Sequence, residues 1–119
     1  MTVSQAVELR PPASRLPITA RPGLSIESHI DGDGVRMVVS GELDIATDGA
    51  LREALAAATP RRVDLDLSAI SFMGCTTLKV LVDAAMRRTE RGESLSIGAA
   101  SDVVRRLVDK AGIGHILGC

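Results

Sequence analysis

The chain has 119 residues, 45% of them hydrophobic and 24% charged, with a formal net charge of -1. That is one domain of ordinary globular composition, too short for a catalytic domain plus a regulatory one, and it implies neither disorder nor membrane residence. The near-neutral charge lacks the basic footprint that phosphate neutralisation requires, and Phe72 as the sole aromatic gives no stacking platform for bases, so nucleic acid is excluded as the expected partner.

Residues 1–22 hold all but one of the prolines and no sustained periodicity, which reads as a flexible leader ahead of a domain over 23–119. Met1 to Gln5 carry no positive n-region and no apolar h-region follows, so no signal peptide is expected, and Leu78 to Met86 is far too short and too charged for a membrane span. The expected location is the cytoplasm, where Cys75 and Cys119 would be thiols.

From Leu24 the pattern alternates through Ile26, Ser28 and Ile30, as in a half-buried strand. Asp31-Gly32-Asp33-Gly34 then turns the chain into a second strand, Val35 to Gly41. As a calcium loop this turn fails, because Arg36 stands at the sixth position where an EF-hand needs Gly; a hairpin turn is the expectation. Ala50, Leu51, Ala54, Leu55 and Ala58 recur at helical spacing after Thr47 and Asp48, either of which can cap the first turn, and Pro60 ends the helix.

Val63, Leu65 and Leu67 alternate with Asp64 and Asp66 in a third strand, and Ser68 to Cys75 reads as a short connection. Leu78, Leu81, Val82, Ala85 and Met86 make one face of a second helix, capped by Thr76 or Thr77 and stopped at Gly92. Leu95 and Ile97 mark a fourth strand. Ser101 caps a last helix with Val104, Leu107, Val108 and Ala111 on its buried face and Gly112 at its end.

The expected fold is α/β: a mixed sheet of about four strands, a hairpin followed by two βα crossover units, packed with helices. Partners of such sheets gather where strand C-termini meet helix N-termini, which here means Asp44, Asp66 and Gly74 to Thr77. The last segment puts a thiol and two hydroxyls at the mouth of a helix, where backbone N–H groups favour phosphate.

No catalytic set and no metal-ligand spacing is apparent. His29 lies on an early strand and His115 in the tail, neither paired with a nucleophile, and Cys75 has no Cys-x-x-Cys partner. The expectation is a protein-binding module that is not an enzyme and uses no cofactor.

The ordered segments Ser40-Gly41-Glu42-Leu43-Asp44-Ile45-Ala46-Thr47, Asp64-Leu65-Asp66-Leu67-Ser68 and Ile70-Ser71-Phe72-Met73, followed by a short polar stretch and Leu78, resemble the STAS domain of anti-sigma-factor antagonists over about residues 24 to 117. The resemblance implies binding to an anti-sigma factor, usually a serine kinase of the histidine-kinase-like ATPase class, so that a sigma factor is released and transcription regulated. It also implies dissociation when a Ser or Thr in an Asp-Ser-Ser/Thr-Gly segment is phosphorylated.

The acceptor position falls on Thr76, with Thr77 as a second candidate. Gly74 stands where the family has Asp, Cys75 where it commonly has Ser, and Thr77 where it has Gly. The partner surface is then Asp44, Asp66, Gly74, Cys75, Thr76 and Thr77. The alternative is a scaffold or transporter-associated STAS domain without a phosphoswitch.

Cys75 and Cys119 are redox candidates, oxidation at Cys75 being a second input to the same surface. A bridge through Cys75 is expected to be intermolecular in preference to Cys75 with Cys119. The last helix runs back roughly 15 Å from the sheet end, whereas bonded cysteines keep their Cα atoms within about 7 Å. Homodimerisation is left open.

Overall fold

The computed structural model describes residues 23–118 and the backbone of 19–21. Most of the leader stretch, residues 1–18, lies outside the described residues, as does Cys119. The elements are β1 (Thr19–Arg21), β2 (Leu24–Asp31), β3 (Gly34–Leu43), α1 (Asp48–Ala57), β4 (Arg62–Met73), α2 (Cys75–Glu90), β5 (Ser94–Ala100), α3 (Asp102–Ala111) and α4 (Gly114–Leu117).

The strands lie side by side in chain order. β1, β2 and β3 pair antiparallel, and β3, β4 and β5 pair parallel, with α1 and α2 as the crossovers. This is the hairpin followed by two βα units expected from the sequence. β1 falls inside the stretch read as leader and adds a short edge strand.

The β2–β3 turn is a two-residue loop, Gly32-Asp33, between paired Asp31 and Gly34, with Gly32 at a φ of 63°. Positive φ at the first central residue suits the right-handed twist of a hairpin. Asp33 is engaged by Arg62, whose Nη2 donates to its Oδ1 at 2.8 Å.

Registered pairs place Ile26 beside Val39, Val35 beside Val63, Met37 beside Leu65, and Leu65 beside Ile97, all buried. Their sequence neighbours point to the other face, where Glu27, His29, Arg36, Asp64, Asp66 and Ser96 reach solvent. Helices supply Leu51, Leu55, Leu78, Leu81, Val104, Val108 and Leu117 to one aliphatic core. Each such side chain contributes about 1.5–3 kcal/mol on burial. Phe72 takes no part and is 49% exposed.

The third strand is longer than its alternation suggests. Ser68 to Met73, read as a connection, continues β4, and the register against β3 shifts between Val38 and Ser40 and again between Gly41 and Glu42. Each shift puts an extra residue into β4, so its buried positions are Leu67, Ile70 and Met73, three apart. Bulges of this kind break the period of two by which strands are recognised.

At the second bulge Gly41 has a φ of 108°, and a Cβ there would stand 2.1 Å from the Gly23 carbonyl oxygen. That carbonyl accepts from the Glu42 N–H at 2.8 Å, so only glycine permits the close approach.

α2 is rotated from its expected face. Thr77, Leu78, Val80, Leu81, Ala85 and Arg88 are buried, whereas Met86 is 53% exposed. Arg88 explains the rotation: its guanidinium reaches under the helix and donates to the carbonyls of Ala58, Pro60 and Ser94, locking α2 to the end of the α1 crossover and to β5. Burial pulls its pKa below the usual arginine value, partly opposed by Glu93.

α3 is capped as expected, Ser101 Oγ accepting from the Val104 N–H and Gly112 closing it in the left-handed region. Ala111 proves exposed, leaving Val104 and Val108 as the buried stripe.

Candidate functional site

β3 and β4 end together. Leu43 pairs with Met73, and the Gly74 N–H donates to the Leu43 carbonyl at 2.8 Å, so the chain leaving β3 at Asp44 and the start of α2 share one corner.

On the α1 side, the Asp44 carboxylate caps the turn that leads into the helix. Its Oδ1 accepts from the N–H groups of Ala46 at 3.0 Å and Thr47 at 3.1 Å, while the Asp44 N–H donates to Thr47 Oγ1 at 2.9 Å. This reciprocal pairing resembles a capping box. Thr47 stands at the N-cap position of α1 as expected, but its side chain does not cap the helix, because Thr47 Oγ1 is spent on Asp44 and on the Glu42 carbonyl. With Asp44 folded back, Ile45 at the tip of the turn is 79% exposed.

Asp48, at the first position of α1, is 5% exposed, and its Oδ1 accepts from Thr77 Oγ1 at 2.6 Å. Thr77 is fully buried. Its hydroxyl is therefore not presented to an enzyme or a partner, and the sequence expectation of Thr77 as a second phosphoacceptor and surface residue is corrected: the side chain points inward and clasps the two helix starts together.

α2 begins differently. Its N-cap is Gly74, not Thr76 or Thr77, and no side chain caps it. Cys75 and Thr76 occupy its first two positions and both are exposed. The Phe72 ring lies at the glycine before them, 3.8 Å from where a Gly74 Cβ would stand. The structure thus brings Asp44, Gly74, Cys75 and Thr76 to one corner and adds Ile45 and Phe72, which sequence reasoning did not single out as site residues. An apolar residue following a capping Asp, and a lone aromatic outside any strand alternation, were the available signals.

Asp66 is not part of this corner. The extended β4 puts it on the open sheet face, on the order of 20 Å from the strand end at ~3.3 Å per residue. Ser68 donates to its Oδ1 through both hydroxyl, at 2.6 Å, and backbone N–H, at 3.0 Å, and Arg36 Nη2 donates to Oδ2 at 2.7 Å. The Ser68 bonds first, and Arg36 after them, hold its carboxyl below the usual carboxylate value against partial burial. Asp66 ties down the first bulge.

Among the described residues no His, Cys, Asp and Glu side chains are grouped to hold a metal ion, and no helix is long and apolar enough to cross a membrane.

A family model described as Mlab, STAS domain, matches residues 26–118. The anti-sigma-F factor antagonist RsfB of Mycobacterium tuberculosis is 35% identical over 89 residues, covering 70% of each chain. A putative anti-anti-sigma factor of the same organism is 28% identical over 103 residues, covering 81% of this chain and 70% of the relative. Among solved structures, an anti-sigma factor antagonist from Mycobacterium paratuberculosis superposes with a TM-score of 0.67 at 25% identity, covering 82% of this chain and 85% of the other. SpoIIAA in its unphosphorylated form shares the fold, with a TM-score of 0.62 at 20% identity over 76% of this chain and 83% of that one. With the matched span taking in all of the sheet from Ile26 onward and the α2 corner, the chain belongs to the STAS domain family.

Proposed function

We propose that this chain is an anti-sigma-factor antagonist: it binds an anti-sigma factor through the corner of Ile45, Phe72, Cys75 and Thr76 and thereby releases a sigma factor. The observation that carries the reading is the composition of that corner. Two exposed apolar side chains flank an uncapped helix start bearing one accessible hydroxyl. Apolar anchors beside a switchable polar group suit reversible protein binding, and the names of the relatives point to the partner class.

Phosphate on Thr76 would add about -1.5 to -2 charges between Ile45 and Phe72 and would itself be favoured by the open N–H groups of α2, so the contact is lost while the domain stays folded. The expected partner is a kinase of the histidine-kinase-like ATPase class. Oxidation of the exposed Cys75 would alter the same surface.

The test is affinity capture from the native cytosol on the full chain with its C-terminus untagged, with mass spectrometry of partner and phosphate. An ATPase-class anti-sigma factor that binds wild type at least about tenfold more tightly than Thr76→Glu is the expected result. Capture of transport components alone would replace the reading with the transporter-associated one, and equal affinity for both forms would remove the phosphoswitch.

A further inference from the structure

From the Thr76 corner a groove runs down between α1 and α2. Its floor is apolar, made by Leu55, Ala56, Val80 and Ala84, and its rim carries Arg52, Arg87 and Arg91. At the corner end the same groove is bounded by Ile45 and Thr76, and Arg52, Val80 and Asp83 line both stretches, so the two are continuous.

The charges on this rim are unequally spent. Asp83 is paired with Lys79 at 3.0 Å, one helical turn before it. Arg88, at the base, is committed to three carbonyls, and Arg91 reaches Glu93 at 3.3 Å. Arg52 and Arg87 have no ion pair or hydrogen bond among the described residues. Arg52 and Arg87 thus border an apolar floor without an ion pair of their own, the Asp83 carboxylate between the two stretches being taken by Lys79, and added carboxylates would find both guanidinium groups available.

We infer that the α1–α2 groove docks an acidic amphipathic helix of a partner protein, its apolar face on Leu55, Val80 and Ala84 and its carboxylates on Arg52 and Arg87. The inference rests on the reading of this chain as a protein-binding module and adds the chemistry of what it binds. Two helices side by side offer the seam into which a third lays apolar residues spaced three and four apart. Arginine is also among the residues enriched at such contacts.

Another occupant fits less well. The chain's own residues 1–22 carry one acid, Glu8, against Arg10, Arg15 and Arg21, the wrong sign for this rim.

The probe is a synthetic amphipathic helix with leucine on one face and glutamate on the other, titrated into the full chain while backbone amide NMR signals are followed. Its counterpart with lysine for glutamate is the control. The expected result is movement of the Leu55, Val80 and Ala84 signals with the glutamate peptide, weaker in higher salt, and about tenfold or greater loss of affinity in Arg52→Glu/Arg87→Glu. Both positions are exposed, and unchanged dispersion of the remaining signals verifies that the variant folds.

Equal binding of the lysine peptide, shifts scattered away from the groove, indifference to the double substitution, or the same shifts produced by inorganic phosphate would each overturn the inference. Thr76→Glu separates the two readings. If it abolishes anti-sigma-factor binding while the peptide still occupies the groove, both hold. If no anti-sigma factor binds the wild type and the peptide does, the proposed function falls and the groove stands.

Discussion

The two helices that meet at the corner begin in opposite ways. α1 enters through a turn in which the polar side chains are engaged: Asp44 with Ala46 and Thr47, Thr47 with Glu42, and Asp48 with Thr77. α2 enters at a glycine with no side-chain cap and leaves Cys75 and Thr76 facing solvent. The contrast is a division of labour across one surface. The Asp48–Thr77 clasp ties the start of α2 to that of α1, and the first two residues of α2 stay exposed beside it, as the proposed contact surface requires.

Breaking the clasp should have the largest effect. Thr77→Val keeps shape and burial but leaves the Asp48 carboxylate, 5% exposed, without its 2.6 Å donor. A buried acceptor left unsatisfied costs about 1–3 kcal/mol, and more when charged. We expect ~3 kcal/mol lost in denaturant unfolding. A double-mutant cycle with Asp48→Asn should show a coupling of at least about 0.5 kcal/mol between the sites. A Thr77→Val protein as stable as wild type would mean that the clasp does not hold the two starts together.

That clasp also marks where sequence reasoning stopped. The hairpin was legible because Asp31-Gly32-Asp33-Gly34 is local turn chemistry, and the crossovers because Leu51 and Leu55, or Leu78 and Leu81, recur at helical spacing. The second half of β4 was hidden by its bulges: Leu67, Ile70 and Met73 are three apart and imitate an irregular connection.

The face of α2 was misphased because two of its buried residues, Thr77 and Arg88, are polar. Their partners are Asp48 across the fold and the carbonyls of Ala58, Pro60 and Ser94, and no periodicity in hydrophobicity reports such pairings. At the corner, Gly74 to Thr76 were legible through the helix start and the family pattern. Ile45 and Phe72 were not, since a lone apolar residue reads as core until the fold shows it outside.

Removing the α1 cap should cost less than breaking the clasp. Asp44→Ala gives up the acceptor for the Ala46 and Thr47 N–H groups, and loss of an N-cap typically costs about 0.5–2 kcal/mol. The expected outcome is ~1 kcal/mol in urea unfolding, with faster amide exchange at Ala46 and Thr47 and unchanged protection in β4. Because the turn also presents Ile45, partner affinity should fall together with that local protection. Full affinity in a variant whose turn has frayed would remove Ile45 from the contact surface.

The smallest effect, and the sharpest test of the contrast, comes from making α2 begin as α1 does. Gly74→Asp restores the residue that the family pattern carries at this position and supplies the missing cap. A Cβ at Gly74 meets its nearest atom, the Leu43 carbonyl oxygen, at 3.8 Å, an ordinary contact, and the backbone is already extended at φ -87° and ψ 164°, as capping residues prefer. Glycine is itself a tolerable cap, so the gain is only a few tenths of a kcal/mol at neutral pH, and it should disappear as the new carboxylate is protonated. The functional consequence should exceed the stability change. A carboxylate engaging the first N–H groups of α2 occupies the donors that a phosphate on Thr76 would use and sets a negative charge beside it. Gly74→Asp should therefore show a small rise in unfolding midpoint, while the phosphorylated variant gains less helix protection at Thr76 and Thr77 than phosphorylated wild type. Identical protection in both phosphorylated proteins would mean that the bare N–H groups of α2 are not what a phosphate engages.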